Sequence, residues 1–447
     1  MKPKHKYVSL IIFFCGLIGF SACNVLDVEP FDKITSEQAF KDKAGIEKGI
    51  LGSYAELQSL SYYGRTYLIF SDLAADNLAH PTDATAADYA EVDNNYVLPE
   101  NGAIDGIWTS IYSAINAANS VIVKVPDMTD MTDEEKTTAL GELYFLRALN
   151  HFNLMNYFGA IPIKTEPTVG TDGLDAPRDE VSEVYAQIIS DLTYAETHLE
   201  ASSSTKTRAS KYAATALLAR VYLYEKDYEK AYEKANSVIT EGGYELVDYS
   251  DIFADDESNS EAIFNVAFDE TSRNRIAEYN YPKTLNGRYE VKPDASLISA
   301  YESGDKRLDA SIAYSGSNPY AVKYNDLSLG DKDVIVLRLA EMYLIRAEAE
   351  AYLTSPDLTA IKNDINTIRL RAGLADTDAT TIAGLLLAIE KERRTEFAFE
   401  GQRWFDLVRT NRAIDVLPNV TKSYQMLFPI PLSEINTNTN MTQNPLN

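Results

Sequence analysis

The tightest constraint on this 447-residue chain is a near-repeat of one helical hairpin pattern. Residues 219–239 read "ARVYLYEKDYEKAYEKANSVI" and residues 349–369 read "AEAYLTSPDLTAIKNDINTIR". Both run Ala-x-x-Tyr-Leu, then a turn, then an Asn set back at the same distance from the Tyr. Ala219, Tyr222 and Ala231 follow the small–aromatic–small spacing of tetratricopeptide helix pairs. Small residues let two helices approach closely, and an aromatic fills the gap between successive pairs. The pentapeptide "ANSVI" also occurs twice, at 118–122 and 235–239. A chain patterned in this way is expected to fold as an all-α scaffold of tetratricopeptide-like helix pairs, forming a superhelix with irregular spacing.

Helical signals recur elsewhere. "TSEQAFKDKAGIEKGILGSYAELQSL" has Thr35 or Ser36 as N-cap candidates, and Ile46, Ile50, Tyr54 and Leu57 repeat at helical spacing. "GIWTSIYSAINAANSVIVKV" places Trp108, Ile111 and Ile115 on one face. "TDEEKTTALGELYFLRALNHFNLMNYFG" opens at Thr132 and stops at Gly159, and "SEVYAQIISDLTYAETHL" is a further amphipathic helix. Two long stretches break the pattern, residues 77–107 and 241–334, the second dense in Gly, Pro, Asn, Ser and Tyr with short β-like runs such as "AIFNVAF". Loops this long in a compact fold are usually functional.

The N-terminus reads as an export signal. Lys2, Lys4 and Lys6 precede the apolar run "VSLIIFFCGLIGF", which is short for a membrane span. Ser21 and Ala22 then lead to Cys23. "FSAC" resembles the lipobox at which bacterial lipoprotein signals are cut and acylated, with Phe20 where Leu is usual. The expected organisation is a signal peptide over 1–22, a lipidated linker over 23–34, and one domain over 35–447. That domain divides into a helical half, 35–240, and a loop-rich region with a C-terminal signature, 241–447. Cys15 leaves with the signal and Cys23 is acylated, so no disulfide is expected.

Little in the chain points to catalysis. His80, His151 and His198 are not paired at metal-ligand spacing, and there is no phosphate-cradling or nucleophile-elbow motif. A balance of 41 basic against 67 acidic residues, net −26, argues against nucleic acid, which needs basic stripes. The chain carries 29 Tyr but only 2 Trp. Tyr offers a flat apolar face and a polar tip, which suits both helix packing and binding surfaces. The densest charged stretch, "EKERRTEFAFEGQRWFDLVRT" at 390–410, reads as a structural ion-pair helix with a kink at Gly401. Glu392, Glu396 and Glu400 stand four apart. Local pairs are expected for Glu390–Arg394, Glu400–Arg403 and Asp406–Arg409.

These residues carry a family resemblance. "VLRLAEMYLIRAEA", "INTIRLRAGL", "ERRTEFAFEGQRWFDLVRT", "PIPLSEI" and "TQNP" in this order resemble the C-terminal signature of the SusD/RagB family, outer-membrane nutrient-binding lipoproteins of Bacteroidetes. "IWTSIYSAINAANSVI" and "GELYFLRALNHFNLMNYFGAIPI" extend the resemblance into the N-terminal half. It implies a helical scaffold whose long irregular loops, with minor β structure, build the ligand site. It implies a lipid-anchored protein facing the cell exterior, capping a SusC-like TonB-dependent transporter and handing it an oligosaccharide, or a peptide as in the RagB branch. It implies no cofactor and no covalent chemistry.

Family ligand sites lie on variable loops, so the candidates here rest on physics. Sugar rings stack on aromatic planes while carboxylates and amides take their hydroxyls. The first loop offers Asp83, Tyr89, Tyr96 and Asn101. The second offers Tyr281, Tyr289, Tyr314, Tyr320 and Tyr324. Tyr62 and Tyr63 rank behind these, and Trp108 is expected to pack internally. Two or more loop tyrosines are expected to form the platform.

Overall fold

The computed structural model describes residues 36–170, 174–254 and 259–446. The assigned signal, the linker and Cys23 lie outside the described residues. The principal helices are numbered in chain order, shorter helical turns being left unnumbered. α1 (Lys43–Ala55) opens on Asp42, whose carboxylate accepts from Gly45 N. A separate one-turn helix, Ser36–Ala39, precedes it where Ser36 was a cap candidate, and Thr35 lies outside the described residues. α2 (Thr66–Leu73), α3 (Ala87–Asp93) and α4 (Gly102–Ile122) follow. α5 (Asp133–Phe158) opens on a reciprocal capping box between Thr132 and Glu135 and stops at Gly159, at φ 73°. Next come α6 (Val181–His198), α7 (Lys211–Glu225), α8 (Tyr228–Glu241) and α9 (Ile276–Asn280). α10 (Leu339–Ala351), α11 (Leu358–Arg371), α12 (Ile382–Glu396) and α13 (Arg403–Arg409) follow.

From α4 to α8 each helix packs against the next; α10 then packs on α8, and α11 on α10. The helical ladder thus runs across a long excursion in the sequence, between α8 and α10, without a break in space. The α7–α8 hairpin shows why the repeat folds this way. Ala219, Ala231 and Ala235 are fully buried and Tyr222 nearly so. Lys226 adopts the left-handed conformation that ends α7, and Asp227 caps α8 through Lys230 N. In the second copy Ala349 is fully buried, but Tyr352 swings out and stacks on Tyr228 of the first hairpin, centroids 4.3 Å apart at 15°. The two hairpins are thereby joined at their turns. The architecture is the helical scaffold the repeat implied.

Six short strands form three antiparallel pairs: β1 (Leu78–Ala79) with β3 (Lys292–Pro293), β2 (Ala262–Val266) with β6 (Val334–Arg338), and β4 (Ile312–Ser315) with β5 (Asn318–Ala321). Every residue of β2 and β6 is buried. Val266 pairs with Val334, so this ladder closes the base of the excursion from which the β4–β5 hairpin and its neighbouring loops project.

The stretch 390–410 is structural, as its sequence suggested, but its ion pairs differ from the local ones expected. α12 stops at Glu396, and Phe399 (φ 69°) and Gly401 (φ 76°) turn the chain before α13. At Gly401 a side chain would be strained by φ and would approach Leu68 Cδ2 to 2.7 Å. Each of the three acids is buried against distant bases. Glu392 meets Arg307 and Arg369, Glu396 meets Arg338, Arg371 and Arg307, and Glu400 meets Arg338 and Lys323. Arg394 and Arg403 both pair with Asp76, and Glu390 pairs with Arg403 and Arg412. Of the three expected local pairs, Asp406–Arg409 alone forms, at 2.8 Å.

Candidate functional site

Three segments of the two interrupting stretches meet beside the β4–β5 hairpin: residues 80–86, residues 281–290 and the hairpin itself. Glu290 clamps the first to the second. Its carboxylate accepts from Thr85 N and Ala86 N, both at 3.1 Å, and its carbonyl lies 2.7 Å from His80 Nδ1. Lys283 reaches Asp83, Nζ to Oδ2 3.6 Å, and Thr284 Oγ1 lies 2.9 Å from Ser315 Oγ on the hairpin. The turn between Pro282 and Gly287 is so tight that a Cβ at Gly287 would lie 1.9 Å from Tyr281 O, which restricts the position to glycine.

On this frame Tyr281 and Tyr320 lie ring against ring, centroids 4.6 Å apart at 57°, and both are half-buried. Tyr281 donates to Asn325 O at 3.2 Å. Burial and the neighbouring Tyr320 push its phenol up to about 12, so it remains a donor at neutral pH. Strand alternation places Tyr320, paired with Ala313, and Tyr314, paired with Pro319, on opposite faces of the hairpin. Tyr314 is therefore exposed but directed away from the Tyr281–Tyr320 pair.

The remaining candidates are placed differently. Tyr289 is buried, at φ 56°, and donates to Pro319 O at 2.9 Å, so it holds the hairpin in place. Tyr89 is 4 % exposed and is packed edge-on against Phe70 and stacked on Tyr279. Asn101 is the N-cap of α4: its Oδ1 accepts from Ala103 N and Ile104 N, and its Nδ2 donates to Asp88 O and Glu91. For Tyr89, Tyr289 and Asn101 the expectation of ligand contact is corrected, because their polar or aromatic surfaces are committed to packing and capping. The Asn101–Gly102 start was legible as a cap signal inside what looked like loop. Tyr96 is 52 % exposed, but its neighbours Asn95 and Val97 border Trp404, Tyr424 and Phe428 rather than the tyrosine pair.

Tyr324 is buried edge-on against Phe253. Tyr62 and Tyr63 are buried too, accepting from Asn153 Nδ2. Trp108 packs edge-on against Phe158, as expected. It also borders a cavity of about 370 Å3 together with Tyr112, Asn116 and Asn119. There Tyr112 donates to Pro162 O, Asn119 to Lys164 O and Glu166 O, and Asn116 accepts from Thr168 N. These side chains are engaged with the cavity's own walls.

A further group was missed in the sequence. Arg65, at the start of α2, lies over the Tyr279 ring at 4.1 Å, and Arg288 lies at 4.8 Å from the same ring. Single arginines in loops carry no pattern that sequence could reveal.

A ladder of helix pairs carrying an irregular, tyrosine-bearing loop face defines a helical-repeat protein of tetratricopeptide-like architecture. Comparison with known proteins specifies it further. A family profile described as starch-binding, associating with the outer membrane, matches residues 24–223, and the SusD family profile matches residues 318–446. A SusD-like protein of Formosa agariphila is 28% identical over 98% of this chain and 99% of its own. A solved SusD superfamily protein of Bacteroides vulgatus superposes with a TM-score of 0.82 at 22% identity, covering 91% of this chain and 99% of that one. A laminarin-binding SusD-like protein superposes with a TM-score of 0.81 at 25% identity, covering 90% and 99%. The chain belongs to the SusD/RagB family.

Proposed function

We propose that this protein captures an oligosaccharide at the cell surface, on the Tyr281–Tyr320 pair, and passes it to a SusC-like TonB-dependent transporter of the outer membrane. The observation that carries this reading is the pairing of two half-buried tyrosines on a loop frame locked by Glu290. Rings held in this way lose little freedom when a sugar's C–H face stacks on them. Asp83, exposed beside Lys283, is placed to accept sugar hydroxyls at the edge of the platform. Tyr314 and Tyr96 are secondary contacts that a longer chain would reach. Laminarin binding by a structural neighbour and the starch-binding description of the matched profile support a glycan cargo.

Residues 35–447 act as one domain in this reading, since one apolar core extends from Leu57 to Met441. Attachment is through acylated Cys23. No described helix is long and apolar enough to cross a membrane, and more than one acyl chain is needed for stable anchoring.

Isothermal titration with laminari- and malto-oligosaccharides tests the site. Tyr281→Ala and Tyr320→Ala should each lose about 1 kcal/mol or more of binding free energy, the worth of a well-placed aromatic contact. Unchanged affinity in both would remove the platform. Binding of peptides but not of sugars would replace the cargo.

A further inference from the structure

Most arginines among the described residues are matched to a carboxylate, and Arg178 and Arg273 to backbone carbonyls. Arg147 with Asp191, Arg220 with Glu341, Arg346 with Asp364 and Arg409 with Glu348 each make two hydrogen bonds to one carboxylate. Acids outnumber bases by 67 to 41, so partners are not scarce. Around Tyr279 the rule fails three times. Among the described residues, Arg65 hydrogen-bonds through its side chain to Thr66 Oγ1 alone. Arg288 comes no closer than 3.8 Å to Glu290, whose carboxylate is already occupied by two backbone N–H groups. Arg275 stands 3.6 Å from Glu278 and is 52% exposed.

Like charges gathered at one ring repel, and with Arg275 and Arg288 exposed the repulsion is felt most in low salt. A guanidinium fork matches the planar, two-oxygen face of a carboxylate and the oxygens of a sulfate. An anion between Arg65 and Arg288 would therefore relieve the repulsion and fill donors that the fold leaves open.

The cluster belongs to the same wall as the tyrosine pair. Tyr279 is two residues from Tyr281. Arg288 N donates to Glu278 O, and the next residue, Tyr289, donates to Pro319 O beside Tyr320.

We propose that Arg65 and Arg288, flanking Tyr279, form an anion subsite of the binding platform, and that the cargo is an acidic oligosaccharide bearing a carboxylate or a sulfate ester. The proposal rests on the glycan reading above and narrows its substrate class. Stacking on Tyr281 and Tyr320 would hold the sugar backbone while the two guanidinia select the charged substituent.

The test is calorimetric titration of the full chain with three probes: a galacturonate oligosaccharide, a sulfated galactan oligosaccharide, and uncharged laminarihexaose. The expected result is that one acidic probe binds at least ten-fold tighter than laminarihexaose in low salt. Which acidic probe it is separates carboxylate from sulfate. The double variant R65Q/R288Q should lose that advantage without a change in Tm, while Tyr320→Ala weakens acidic and neutral probes together. The proposal is overturned if no acidic probe binds, if laminarihexaose binds as tightly, or if R65Q/R288Q leaves acidic binding intact. Tyr320-dependent binding of laminarihexaose with no tighter binding of either acidic probe would overturn the anion subsite alone and leave the platform standing.

Discussion

Arg338 Nη1 and Glu396 Oε1 lie 2.6 Å apart, and neither side chain is more than 1% exposed. Arg338 also reaches Glu261 and Glu400, and Glu396 also reaches Arg371 and Arg307, so this contact is the centre of a buried network. Removing one member of such a set strands the opposite charges out of water, which costs about 3–5 kcal/mol. Glu396→Gln should accordingly lower Tm sharply, measured by calorimetry, while the fraction that remains folded binds ligand with unchanged affinity. Loss of binding at an unaltered Tm would make Glu396 part of the site instead of the scaffold.

The network also sets the acid limit of the fold. Burial pushes Glu396 up, but Arg371, Arg338 and Arg307 more than reverse this and hold it well below the usual carboxylate range. Glu400 behaves likewise, with burial opposed by Arg338 and Lys323. A depressed folded pKa contributes stability above the unfolded value, about 4.3 for Glu, and that contribution disappears as pH falls toward the folded pKa. Tm should thus decline steeply below about pH 4.3, and Glu396→Gln should flatten the decline. An equally steep acid transition in that variant would locate the acid-sensitive groups elsewhere.

Asp72 carries the opposite sign. Burial raises its carboxyl to about 7, against the partial opposition of hydrogen bonds from Asn77 and Gly401 N. A raised folded pKa contributes stability that is complete below the unfolded value and is lost as pH climbs through the folded one. The Tm difference between wild type and Asp72→Asn should shift in favour of the variant as pH rises from about 4 to neutrality, then level off. A difference independent of pH would mean that Asp72 is ionised throughout.

Tyr228 and Tyr352 test the joint between the two hairpins. Their rings are nearly parallel at 4.3 Å, each half-buried or more exposed, and they belong to different repeats. Offset-stacked aromatic pairs contribute about 0.5–1.5 kcal/mol beyond area burial. A double-mutant cycle with Tyr228→Ala and Tyr352→Ala should return a coupling energy in that range by denaturant unfolding. Additive single effects would show that the turns touch without stabilising each other.

The helix pairs were legible because Ala219, Tyr222 and Ala231 encode packing at fixed spacing, and fixed spacing survives as pattern. The partners of Glu390, Arg394, Glu400 and Arg403 were not. The turn at Phe399 and Gly401 comes between Glu400 and Arg403, while Glu390 and Arg394 share α12 but are each drawn to partners from other elements, Arg403, Arg412 and Asp76. Asp406 and Arg409 lie within one unbroken helix, and that pair could be read. Loop tyrosines gave the same difficulty in another form. Sequence marks Tyr89 and Tyr320 alike as aromatics among polar residues. Whether a neighbour covers the ring is decided by Phe70 and Tyr279 in one case and by an open hairpin face in the other.

That difference in cover separates two roles for one residue type. Tyr89 is 4% exposed between Phe70 and Tyr279, so Tyr89→Ala opens a cavity and should cost about 3–5 kcal/mol of stability, as large aromatic truncations in cores do. Tyr320 is half-buried against Tyr281, so Tyr320→Ala should cost about 1 kcal/mol or less of stability, nearer to a surface substitution than to a core truncation. Affinity should respond in reverse, with Tyr320→Ala weakening the bound oligosaccharide and Tyr89→Ala leaving the folded fraction competent. Parallel calorimetric melts and titrations of the two variants measure both quantities. If Tyr89→Ala removed binding from a fully folded protein while Tyr320→Ala did not, the binding surface would lie under α3, and the hairpin would be its support.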